Sequence, residues 1–133
     1  MTKRARIEYD GRQALQDAGW QLRKRDAVAF NGGSETDAHL LAKTLVAAVL
    51  RDQGYRIDTE VEKDDVGEID VVAYGGEGPP FAVEVETNPT QEVISDKLSR
   101  YYEGEPYRDV FVIDPSEMPD SISGAREFVE GEL

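Results

Sequence analysis

Cysteine is absent from the 133 residues, which excludes disulfides and thiolate metal centres and leaves the redox compartment open. Histidine is nearly absent too: His39 stands alone, so a multi-histidine zinc centre is excluded. Any metal must then be held mainly by oxygen, which points to Mg²⁺, Mn²⁺ or Ca²⁺. No apolar run approaches the length of a membrane span, and residues 1–6 lack an apolar signal region. The expectation is a cytoplasmic protein with no membrane partner. Lysine is scarce as well, supplying five of the fifteen basic residues.

Acid is abundant. The net charge is −13, and an acidic, lysine-poor surface resembles that of halophilic, archaeal proteins, whose dense ions screen self-repulsion. At low salt such a surface repels DNA; concentrated salt relieves the repulsion but also weakens phosphate contacts. The charge is uneven. Residues 1–34 hold seven basic side chains against four acids, a local +3. That split suggests an N-terminal element facing an anion, with a solvated face as the plain alternative. The length suits one core. We divide the chain into a basic extension, residues 1–33, packed on the core through Trp20 and Phe30 or used in a dimer contact, and a domain over residues 34–133.

The spacing of apolar residues predicts a short helix over residues 10–18, capped by Asp10 and stopped by Gly19. Strand or extended segments follow at 20–23 and 27–30 around the basic Arg23-Lys24-Arg25, then a turn at 31–34. Ser34 or Thr36 caps a helix running to Gln53 and closed by Gly54, with Glu35 in its first turn, where an acid suits the helix dipole. Residues 55–62 alternate as a half-buried strand near a sheet edge. Strands are expected at 66–74, 81–86 and 110–113, a helix opened by Pro89 with Asn88 or Thr87 as cap, and a closing helix at 121–130. The expected fold class is α/β, in the order α-β-β-β-α-β-α.

Charges sit where core is expected. In the 81–86 strand, alternation puts Glu84 and Glu86 on one face, roughly 7 Å apart at their Cα atoms. In the 66–74 strand, Glu68, Asp70 and Val72 point one way and Ile69, Val71 and Ala73 the other. If the two strands pair as a hairpin, Asp70 meets Glu84 and Glu86. Carboxylates that close raise each other's pKa unless a cation joins them. A hard ion on Asp70 and Glu84, with the Val85 carbonyl as a further ligand, would polarise a phosphoryl oxygen and activate water. The competing explanation is an acidic hairpin face open to solvent.

These residues resemble the PD-(D/E)XK nuclease superfamily. The matching pieces are Glu35 at the first helix, Gly67-Glu68-Ile69-Asp70, Glu84-Val85-Glu86, the helix after Pro89 and the strand at 110–113. The resemblance covers roughly residues 34–114 and implies a restriction-endonuclease-like αβββαβ core with a mixed central sheet flanked by helices. It implies that Glu35, Asp70, Glu84 and Glu86 hold Mg²⁺ or Mn²⁺, and that the protein cuts DNA as a homodimer, leaving a 5′-phosphate. The sequence departs at Glu86, where the family most often has lysine. Lys97 then replaces it from the following helix, with Arg100 behind and Tyr101 on the same side. An ordinary salt bridge is the plain reading of Lys97, and a structural or substrate contact that of His39, four residues after Glu35. The functional expectation is a divalent-metal-dependent DNA endonuclease of restriction or repair type. The alternatives are a catalytically silent nuclease-like module binding nucleic acid or protein, a Holliday junction resolvase-like enzyme, and an acidic, salt-adapted structural partner.

Overall fold

A computed structural model describes residues 2–23, 27–30 and 35–133. The expected turn at 31–34, the Ser34 cap, Lys24 and Arg25 lie outside the described residues. The chain forms α1 (Lys3–Asp17), β1 (Trp20–Gln21), α2 (Asp37–Asp52), β2 (Arg56–Lys63), β3 (Gly67–Tyr74), β4 (Phe81–Val85), α3 (Gln91–Lys97), a π-helical turn (Leu98–Tyr102), β5 (Asp109–Ile113), a 3₁₀ turn (Pro115–Glu117) and α4 (Ile122–Glu132). The fold class is α/β. One mixed sheet runs in the order β1-β2-β3-β4-β5, antiparallel except for the parallel β4–β5 pair.

Helices cover both faces. Leu45, Val46, Val49 and Leu50 of α2 and Ala125 and Val129 of α4 pack on Ile57, Val71, Ala73, Phe81, Val83 and Ile113. On the other face Leu15 of α1 and Tyr102 of the π turn cover Trp20, Val61, Ile69, Val72, Tyr74 and Ala82. The segment before Glu35 thus supplies a sheet strand and a covering helix. Trp20 is buried as expected, but Phe30 is 73% exposed and does not reach the core.

Several expectations shift. Helix α1 begins at Lys3 with Thr2 as its cap, not at Asp10: its first turns are dominated by charge and fully bury only Glu8, with Gly11 buried a turn later. A Cβ on Gly11 would lie 2.6 Å from the Tyr74 ring, so this contact needs glycine. Arg12 fastens the helix through the buried Asp58, whose carboxylate also accepts from Tyr74 Oη at 2.6 Å. Strand β2 is an inner strand because β1 pairs with its far end. Residues 27–30 form no strand; they hook onto β2 where Ala29 N–H donates to Thr59 Oγ1 and that hydroxyl donates to Ala27 O, both at 2.8 Å. Helix α3 is capped by Thr90, one residue after Pro89, instead of by Asn88 or Thr87.

Strict alternation also fails, at one place. Val61 and Ile69 join the α1 side, although Ile57 and Val71, on the same strands, face α2. Glu60 lies between them with φ +52°, and the Glu60–Asp70 rung is absent from an otherwise regular β2–β3 ladder. This local break re-aims the strands where the acidic residues gather.

Candidate active site

The β3–β4 hairpin is the foundation. Its ladder runs Ala73–Phe81, Val72–Ala82, Val71–Val83, and stops. The next pair in register is Asp70 opposite Glu84. Here side chains replace the backbone rungs: Asp70 N–H donates to Glu84 Oε1 at 3.1 Å, and Val85 N–H donates to Asp70 Oδ2 at 2.7 Å. The hairpin therefore brings Asp70 and Glu84 together, and it clasps each carboxylate to the other strand. Glu84 is 1% exposed and Asp70 7%. Burial above all, then the Asp70 charge, pushes the Glu84 carboxyl up to about 7, despite the opposing pull of Lys97.

Helix α3 aims Lys97 at this pair. Its ammonium donates to Glu84 Oε2 and to Glu86 Oε2, both at 2.8 Å. Glu84 and Glu86 thus share a face, as alternation requires. Burial disfavours the Lys97 charge, but Glu84 and Glu86 outweigh it and raise the pKa, so the side chain is a fixed cation. The π turn then carries Tyr101 over β3, where its ring lies 5.8 Å from both Lys97 Nζ and the Arg100 guanidinium. Gly67, at φ +141°, makes room: a Cβ there would sit 2.2 Å from the Tyr101 hydroxyl.

Helix α2 closes the other side. Glu35 precedes the Thr36 cap, so it lies outside the first turn, and Asp37 takes the dipole-favoured position instead. Glu35 reaches into the site. Its Oε2 meets His39 Nδ1 at 2.5 Å and accepts from Lys43 Nζ at 2.8 Å; His39 Nε2 lies 3.3 Å from Asp70 Oδ1. The hydrogen bond to Asp70 is the main reason His39 is raised to about 9, against the effect of burial. Lys43 is fully buried and also donates to Glu60 Oε1 at 2.7 Å. A hydrogen bond shared with Glu60 is the main cause of a raised Glu68 pKa, with burial second, so these two acids lie close enough to share a proton.

Glu35, His39, Glu68, Asp70, Val85, Glu86, Lys97 and Tyr101 line one open cavity of about 580 Å³. Every predicted site residue except the buried Glu84 lines it, and Glu84 touches Asp70 and Lys97 directly. The sequence reading passed over Lys43 and Glu60 and gave His39 no firm role. The spacing of four from Glu35 to His39 to Lys43 was the available signal.

The donor chemistry suits a hard divalent ion. Carboxylates outnumber Lys43, Lys97 and His39 around the cavity. No ready-made cage exists, however: among the described residues no group of three or more His, Asp or Glu side chains is disposed to hold a metal. The inward oxygens turn to Lys97, His39 and Lys43 instead. Among the described residues no helix is long and apolar enough to cross a membrane. Comparison with protein-family models, curated proteins and solved structures finds no match.

Proposed function

We propose that this chain is a divalent-metal-dependent DNA endonuclease of restriction-endonuclease-like fold, using Mg²⁺ or Mn²⁺ and acting as a homodimer. The observation that carries this reading is the Asp70–Glu84 clasp at the open end of the hairpin, with Lys97 bridging Glu84 and Glu86. Asp70 and Glu84 would hold the ion, with the Val85 carbonyl beside them. Once neutral, His39 can join through Nε2 while its Nδ1–H donates to Glu35, the carboxylate–histidine arrangement common at metal sites. The ion, when bound, supplies Lewis acidity toward a phosphoryl oxygen and toward water.

The chain's own groups do the rest. Lys97 is already charged, so it serves as a donor to the phosphate and not as a base. Glu86 stands next to it, 31% exposed and in the cavity, and is the group placed to take the proton from the attacking water. Lys43, locked between Glu35 and Glu60, fixes the α2 side of the pocket. The departure at Glu86 is thus met by division of labour, the lysine's charge arriving from α3.

Incubation with supercoiled, nicked and branched DNA in concentrated KCl with Mn²⁺ tests the proposal. Cleavage is expected, lost in Asp70→Asn and Glu84→Gln together with Mn²⁺ binding. In Lys97→Ala cleavage should vanish while Mn²⁺ still binds; unchanged turnover removes Lys97 from the mechanism. One observation favours a second reading, a silent nuclease-like module: the protein's own cations already occupy the inward carboxylate oxygens. Nucleic-acid binding without cleavage or Mn²⁺ uptake would select it.

A further inference from the structure

A second cavity has the opposite electrostatics. It encloses about 360 Å³ and is lined by Arg4 of α1, Arg51 and Asp52 at the end of α2, Tyr55 and Arg56 at the start of β2, and Arg126 of α4. Four arginines from four elements line one space, with Asp52 as the one carboxylate among the described lining residues and Glu8 and Glu130 behind Arg56 and Arg126, in a chain of net charge −13. Arg51 has a partner within the chain, and the other three arginines differ in how far internal pairing engages them. Arg126 is engaged by Asp52 and Glu130, whereas Arg56 lies 3.6 Å from Glu8, beyond hydrogen-bond length. Arg4 makes no ion pair among the described residues.

We infer that this arginine-lined cavity is a binding site for a phosphate group, separate from the carboxylate pocket. Each guanidinium offers five N–H donors in a planar fork, and phosphate, with its higher charge and tetrahedral oxygens, accepts from several forks at once. The cavity sits at the C-terminal end of α2 and the carboxylate pocket at its N-terminal end, roughly 20 Å apart along the axis by helix rise. A single phosphate group bound at one end does not contact the other. The ligand class is a phosphate ester or anhydride, taken either as a small free compound or as part of a nucleic-acid backbone.

The test titrates the full chain with inorganic pyrophosphate and, separately, with a thymidine oligonucleotide. It is done by calorimetry in EDTA, at the lowest salt that preserves the folded circular dichroism spectrum. The chelator removes any divalent ion, so the result is independent of the proposed nuclease activity. Binding of either probe is expected, weakened about tenfold or more in R4Q/R56Q and unchanged in D70N/E84Q. Both arginines are substantially exposed, so the double variant should fold, which its thermal transition checks. Tighter binding of the oligonucleotide assigns the site to a nucleic-acid backbone; equal or tighter binding of pyrophosphate assigns it to a free phosphate compound. No binding by the wild type, equal binding by R4Q/R56Q, or loss in D70N/E84Q overturns the inference.

Discussion

Replacing Glu84 by glutamine asks how strained the carboxylate pair is without a cation. Glu84 is 1% exposed, and burial first, then Asp70, carry its pKa from 4.5 to about 7. When the folded-state pKa exceeds the unfolded one, the folded protein holds the extra proton between the two values, so stability falls as pH rises from 4.5 through about 7. At about 1.4 kcal/mol per pKa unit, the cost above that range is about 3 kcal/mol. Glutamine has no such proton to lose. In urea denaturation with EDTA, the stability difference between Glu84→Gln and wild type should therefore move by about 3 kcal/mol in the variant's favour from about pH 4 to about pH 8. Comparing the two proteins at each pH cancels the other titrating groups. Saturating Mn²⁺ should remove most of this dependence in the wild type. A difference that ignores pH refutes the burial argument; a slope that Mn²⁺ leaves intact refutes the Asp70–Glu84 ion site.

Three further perturbations probe the walls of the pocket. Lys43→Met strands Glu35 and Glu60 without their buried cation, and denaturation should show a loss of about 3–5 kcal/mol, partly recovered in Lys43→Met/Glu60→Gln. Equal stability of the single and double variants would sink that account. Gly67→Ala combines a strained φ with a clash against the Tyr101 hydroxyl, and should lower stability by about 1–3 kcal/mol. Measured against Tyr101→Ala, which removes both the hydroxyl and the ring carbon that would lie 2.7 Å away, Gly67→Ala should cost only the share due to φ; no cost there would mean that φ at Gly67 costs nothing. Because His39 is the only histidine, its ¹⁵N resonances are unambiguous; they should titrate near 9 without metal, held up mainly by Asp70, and at lower pH in Asp70→Asn, where Glu35 alone still supports the charge. A titration near 6.5 in the wild type would remove the Asp70 contact from the site.

The legible part of the chain was the part whose signal is local. Helix α2, the β3–β4 hairpin and the position of β5 follow from apolar periodicity and capping, and alternation places Glu84 and Glu86 correctly around Lys97. The apolar run of β5 read as a buried strand, yet β5 ends the sheet and only its Ile113 is buried. Long-range pairing was out of reach. Asp58 and Glu60 read as the polar side of a half-buried strand, yet both are buried, because Arg12 and Lys43 arrive from helices 46 and 17 residues away. Val61 and its cross-strand partner Ile69 change face where Glu60 takes a positive φ and the ladder skips the Glu60–Asp70 rung, and no residue type at that position announces it. Residues 3–9 hid the start of α1 because charged side chains dominate that stretch and Glu8 is its only fully buried residue. Phe30 misled for the opposite reason: an aromatic beside a turn signal was read as an anchor, and it projects into solvent.

The π turn at Leu98–Tyr102 bears on how such a site arises and how it is compared. Its closing bond, Glu103 N–H to Leu98 O at 3.1 Å, spans five residues, one more than an α-helical turn. Seen as an edit, it is a one-residue insertion absorbed without breaking the helix. Deleting a residue within it would return the segment to regular winding and rotate Lys97 by about 100° relative to Tyr102, which is anchored in the core. The cation and its aromatic anchor are therefore related by a register offset that substitution cannot reproduce. An alignment that forbids a gap here would set Lys97 against the wrong position of any relative with an uninterrupted helix.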